Sequence, residues 1–142
     1  MRDIWYGVQA GVTVLGGWLG LVLGGLDGLI YVLIAFVVVD YITGVMCAVS
    51  DRTLSSNIGF RGIFRKILIF VMVAIGHLID THVIGLSGII GDGAAVRTAI
   101  VAFYLSNEVV SLMENAARLG LPIPERLTAI LAQLHNNTGN KD

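Results

Sequence analysis

Four long apolar runs dominate this 142-residue chain, each near the length at which a helix can cross a lipid bilayer. A hydrocarbon core about 30 Å thick takes about 20 helical residues at about 1.5 Å per residue. The runs lie at 4–23, 29–49, 63–84 and 96–115. Only 13% of the residues are charged and 56% are hydrophobic, with a mean hydropathy of +0.83. An ordinary soluble domain carries about 25% charged residues, so too little polar surface remains here to face water. The expected fold class is an all-α integral membrane protein with about four transmembrane helices in one domain, residues 1–135, assembling into a homo-oligomer.

The connections refine this picture. The first two runs are joined by GGLDG, which is short enough to predict a tight antiparallel hairpin. Arg2 and Asp3 cancel, and no small-residue cleavage site follows, so the first run is expected to stay as a span rather than leave as a signal peptide. Basic residues Arg52, Arg61, Arg65 and Lys66 cluster around the second connection, and the other two connections have none. The positive-inside rule then places that connection and both termini in the cytoplasm, with Arg61, Arg65 and Lys66 as a basic anchor at the inner interface. Arg97, at the outer start of the fourth run, is expected to snorkel towards water. Beyond LPIP, Leu127, Ile130, Leu131 and Leu134 recur at helical spacing. They predict a short amphipathic helix at about 124–135 on the membrane surface, followed by a disordered tail, 136–142.

Two acids interrupt the apolar runs near mid-depth, Asp40 in VVVDYITGVM and Glu108 in YLSNEVVSLMEN. A bare charge facing lipid there costs about 2.5–3.5 kcal/mol on insertion scales. No Lys or Arg is expected at that depth, which leaves protonation, hydrogen bonding within the bundle, or a water-filled space. Arg97, Val101, Tyr104, Glu108, Ser111, Asn115 and Arg118 fall on one helical stripe that should turn away from lipid. Asp40, Glu108, Tyr104, Ser111 and Asn107 are therefore the candidates for lining or gating a pore. Static hydrogen bonding inside the bundle is the plain alternative. His77 and Asp80 can pair along one face of the third run. Gly16, Gly20 and Gly24, spaced by four, and Gly44 beside Asp40 are candidate surfaces for close helix packing or self-association.

Catalytic and ligand-binding chemistry finds no support in the pattern. There is no nucleophile–base set, phosphate-binding loop or cluster with metal-ligand spacing, so no enzyme activity, cofactor or metal is expected. Cys47 stands alone inside an apolar run, as a small packing residue. The few basic residues and a net charge of −1 argue against a nucleic-acid partner.

Three stretches together resemble the toxin-secretion/phage-lysis holin family, over about residues 30–128. The acid followed by x-x-Thr-Gly matches Asp40, Thr43 and Gly44. A Ser-x-x-Gly-x-x-Gly run leading into a span matches Ser56, Gly59, Gly62 and Lys66. Asn107, Glu108, Glu114, Asn115 and the Leu121–Pro124 turn match the last part. The glycine-rich first span lies outside the resemblance. What the resemblance implies is a phage protein of the host cytoplasmic membrane that stays harmless, then abruptly forms lesions. These release a wall-degrading endolysin, with which no direct contact is needed, or in some relatives a large toxin. It supplies no catalytic residues. The competing readings are a small oligomeric ion or proton channel and a non-leaking, antiholin-like regulator.

Overall fold

The computed structural model describes residues 1–84, 94–126 and 129. Most of the expected amphipathic helix, the whole tail, and most of the GLSGIIGDGAA connection lie outside these residues. The described chain forms four α-helices: α1 (Arg2–Leu23), α2 (Gly28–Ser50), α3 (Ser56–Ile79) and α4 (Ala95–Arg118). A π-helical turn, Asp80–Ile84, extends α3. All four helices are long and apolar enough to cross a membrane, and no strand occurs among the described residues. Helix α3 begins at Ser56 rather than at residue 63. Residues 56–62 are too polar and glycine-rich to count as part of an apolar run, but Arg61 is a good helix former and the helix extends back through them.

Helices α2, α3 and α4 build the core, with α4 packed along α2 and α3 while those two touch each other sparingly. Each contributes one stripe at 3–4-residue spacing. From α2 come Ile30, Leu33, Val37, Asp40 and Cys47; from α3 and its π-helical extension, Ile69, Val73 and Asp80; from α4, Arg97, Val101, Glu108 and Asn115. Ile30, Leu33, Val73 and Val101 are completely buried and form an apolar layer between the polar groups above and below it. In lipid this packing gains from van der Waals fit rather than from the hydrophobic effect, which rewards a close approach. At Gly76 a side chain would meet Ile100 Cδ1 at 2.8 Å and the Arg97 Cα at 3.0 Å, so glycine is what lets α3 and α4 touch.

Helix α1 departs from the expected hairpin. The tight turn forms, with Gly24 and Gly25 at φ of 79° and 103°, but α1 rests chiefly on α3 rather than on α2. Most of its length is exposed, including Trp5, Trp18 and Leu21. Gly24 ends the helix in the left-handed conformation, and any side chain there would collide with the His77 ring.

Three helix termini meet at this same end of the bundle, where lipid could not satisfy their backbone groups. Asp27 caps α2, its Oδ1 accepting from Ile30 N at 3.0 Å. Asp80 caps α4, accepting from Val96 N at 3.0 Å and Arg97 N at 2.8 Å. The Arg97 side chain donates to Leu23 O (2.6 Å), Gly25 O (3.1 Å) and Asp27 Oδ2 (2.7 Å). Two expectations are corrected here. Arg97 is 4% exposed and turned inward, because three acceptors from the α1–α2 turn satisfy it better than a distant interface. Asp80 serves the open end of α4 rather than pairing with His77. The Arg97 guanidinium also holds the Asp27 carboxyl below its ordinary value of 3.8, helped by the Ile30 amide.

Candidate functional site

The second polar layer lies towards the Asp51 end of the bundle and brings together residues far apart in sequence. Asp40 occupies a core position of α2 and Glu108 the facing position of α4, 6% and 5% exposed. Between them sits the Lys66 ammonium, 2.6 Å from Asp40 Oδ2 and also donating to Glu108 Oε2. Asn115, a further two turns along α4, donates to Asp40 Oδ1 (3.0 Å) and Thr43 Oγ1 (3.2 Å). Thr43 in turn bonds back to the carbonyls of Val39 and Asp40, both at 3.0 Å. Cys47 closes the layer, its Sγ 3.5 Å from Asn115 O. No buried side-chain nitrogen or oxygen lacks a partner among the described residues.

This corrects the expectation that no basic residue shares the depth of the two acids. Lys66 stands seven residues beyond Gly59, where the apolar part of α3 begins, which is about 10 Å along the helix axis. Its four-carbon stem then carries the ammonium inward to the carboxylates rather than outward to the interface. Lys66 thus turns to the two acids, whereas Arg61 and Arg65 remain exposed near the start of α3. A buried pair of acids is costly, and a fixed cation with full hydrogen bonding is the cheapest way to hold them in lipid. Two carboxylates around one ammonium leave the cluster with an excess of acid over base.

A cleft of about 770 Å³ runs between α2, α3 and α4 from the Asp51 end to this cluster. Tyr104, Asn107 and Ser111 line it, as do Asp40 and Glu108, so the five pore-lining candidates share one space. Asn107 is exposed, one position off the buried stripe of α4. Gly44 also borders the cleft, where an added side chain would rest 3.6 Å from the Asn115 amide. Gly59 and Gly62 of α3 line it too, whereas the candidate glycines Gly16, Gly20 and Gly24 do not. Gly20 faces Leu26, and Gly16 has nothing within 4 Å of where a side chain would project. Asn115 was visible in the stripe, but only the fold shows that it tethers Asp40. The role of Lys66 had one sequence signal, its i, i+3 and i+7 relation to Ile69 and Val73 on the buried face of α3.

Comparison with known proteins places these residues in a family. A family model described as the bacteriophage holin family matches residues 17–136. An uncharacterised protein of Clostridium perfringens is 38% identical over 142 residues, covering 99% of this chain and all of the relative. An uncharacterised protein of Listeria innocua is 36% identical over 135 residues, 95% of this chain and 91% of the relative. A probable holin of Bacillus phage phi105 is 34% identical over 104 residues, 73% of this chain and 72% of the relative. No solved structure matches the chain. The family match spans both acids, Lys66 and all of the buried α4 stripe, so this multi-pass membrane protein belongs to the bacteriophage holin family.

Proposed function

We propose that the chain accumulates in the cytoplasmic membrane of a host bacterium, with both termini in the cytoplasm, and at a timed moment assembles into homo-oligomeric lesions. The lesions release a wall-degrading endolysin, or in a toxin-producing host a large toxin, without either cargo binding the chain. The observation that carries this reading is the polar seam of α4, which is held at membrane depth against Asp40 and Lys66. Polar groups at that depth are costly unless paired within the protein or facing water, and they mark functional sites by default. A chain of this size cannot enclose a protein-sized hole, so release of a folded enzyme needs many copies. In the resting protein the acids are occupied by Lys66. In the assembly, Asp40, Glu108, Tyr104, Asn107 and Ser111 face water, and the glycine faces of α1, with Gly44 in α2, allow copies to approach.

The test is inducible expression in a bacterial host beside a cytoplasmic wall-degrading enzyme that lacks an export signal. Abrupt lysis that needs both genes supports the reading. A second reading, a small-ion pathway, draws on the cleft that leads to the buried charges. It predicts loss of membrane potential while the enzyme stays inside, and that outcome would replace the first reading. A chain that does neither is a regulator.

A further inference from the structure

We infer that the mouth of the α2–α3–α4 cleft is a binding site for the phosphate of an anionic phospholipid in the leaflet at the Asp51 end. Arg61 and Arg65 both line this cleft, one helical turn apart on α3. Neither has an ion-pair partner among the described residues, since Asp40 and Glu108 are taken by Lys66 and Asp51 by Arg118. The walls near them are Tyr41, Leu54, Gly59 and Gly62. The Tyr41 ring lies against the glycine face of α3, where a side chain at Gly62 would come within 3.3 Å of it. Tyr41 Oη has no hydrogen bond among the described residues and borders the same space as the two guanidinium groups.

Depth and charge select the occupant. The apolar part of α3 runs from Gly59 to Val83, 25 residues, or roughly 37 Å against a hydrocarbon core of about 30 Å. The excess puts Arg61 in the headgroup layer and Arg65 just inside it. Two guanidinium groups at that level repel each other, and neither has an ion-pair partner among the described residues. Among the described residues the cleft holds three cations, Arg61, Arg65 and Lys66, against two acids, and the two arginines at its mouth leave that end positive. A phosphodiester is the anion the membrane itself supplies at this depth, and the arginine fork matches its oxygens. Apolar Leu54 and Leu68 border the same cleft and can accompany the start of the acyl chains. The site is independent of lesion formation.

The test uses the full chain in vesicles of phosphatidylcholine with spin-labelled phosphatidylglycerol, and a matched series with spin-labelled phosphatidylcholine. The wild type is expected to prefer the anionic lipid, and Arg61→Gln and Arg65→Gln each to lower that preference about five-fold. Arg61→Lys and Arg65→Lys should keep part of it, and Tyr41→Phe should weaken it without changing the charge. Arg52→Gln removes a cation from the same end of the molecule but outside the cleft, and should leave the preference intact. An equal loss in Arg52→Gln would show diffuse surface charge and overturn the site, as would an unchanged preference in the Arg61→Gln/Arg65→Gln double variant. Displacement of the labelled lipid by millimolar inorganic phosphate would overturn the assignment to a lipid.

Discussion

Replacing Lys66 by methionine removes the charge between Asp40 and Glu108 while nearly preserving volume. At 2.6 Å and an effective dielectric of about 20, the attraction to Asp40 alone is about 6 kcal/mol before desolvation is subtracted. Desolvation of the ammonium offsets much of this in the wild type. In the variant the two acids stay buried, 6% and 5% exposed, with no cation between them. Removing one member of a buried ionic pair costs about 3–5 kcal/mol, and that is the loss expected for Lys66→Met. The triple variant Lys66→Met/Asp40→Asn/Glu108→Gln has no charge to strand, so most of the stability should return. Cys47, the only cysteine and 1% exposed between α2 and α4, gives a native probe. Its rate of thiol labelling during a titration with SDS in mixed micelles reports separation of the two helices. If Lys66→Met shifts the midpoint by less than about 1 kcal/mol, or the triple variant is no more stable than the single one, the cluster is not held together by charge.

Four further outcomes follow from the packing, the termini and the proposed orientation. Gly76→Val should cost about 1–3 kcal/mol in the same assay, because its side chain would meet the Arg97 backbone and Ile100. Gly16→Ala, with open space around it, should leave the monomer unchanged and alter only chemical crosslinking of copies, if α1 is an assembly face. Asp27 has a depressed pKa, so its bond to Arg97 contributes fully above the ordinary carboxylate value of 3.8. It is lost as pH falls through the lower, folded value. Hydrogen exchange of the α1–α2 turn should therefore rise only in strong acid, and Asp27→Asn should abolish that step. The half-exposed carboxylate makes the effect modest, about 1 kcal/mol or less. In intact cells carrying Cys47→Ser/Arg52→Cys, an impermeant maleimide should fail to label position 52 until the membrane is opened; labelling beforehand would reverse the proposed orientation.

Solvent, element type and most of the inward faces are legible in the residues alone. Four apolar runs of membrane length leave no other economical fold, since in lipid each backbone N–H and C=O must be satisfied within its own helix. Much of the α4 stripe is legible for the same reason: Arg97, Val101, Glu108 and Asn115 are buried and Tyr104 and Ser111 partly so, while Arg118 at its end is exposed. Partner choice was not legible, because periodicity fixes which face turns inward but not what meets it there. Lys66 read as an interfacial cation from its place near the end of an apolar run. Only the antiparallel approach of α2, α3 and α4 brings its ammonium to acids 26 and 42 residues away. Arg97 read as a snorkelling side chain until the α1–α2 turn supplied two carbonyls and a carboxylate within its reach. The glycines of α1 read alike, yet Gly24 serves a left-handed turn while Gly16 meets nothing in the monomer. Local chemistry sets each helix and its polar face; long-range geometry decides which charges neutralise one another, because Coulomb attraction at a few ångströms depends on where the chain returns.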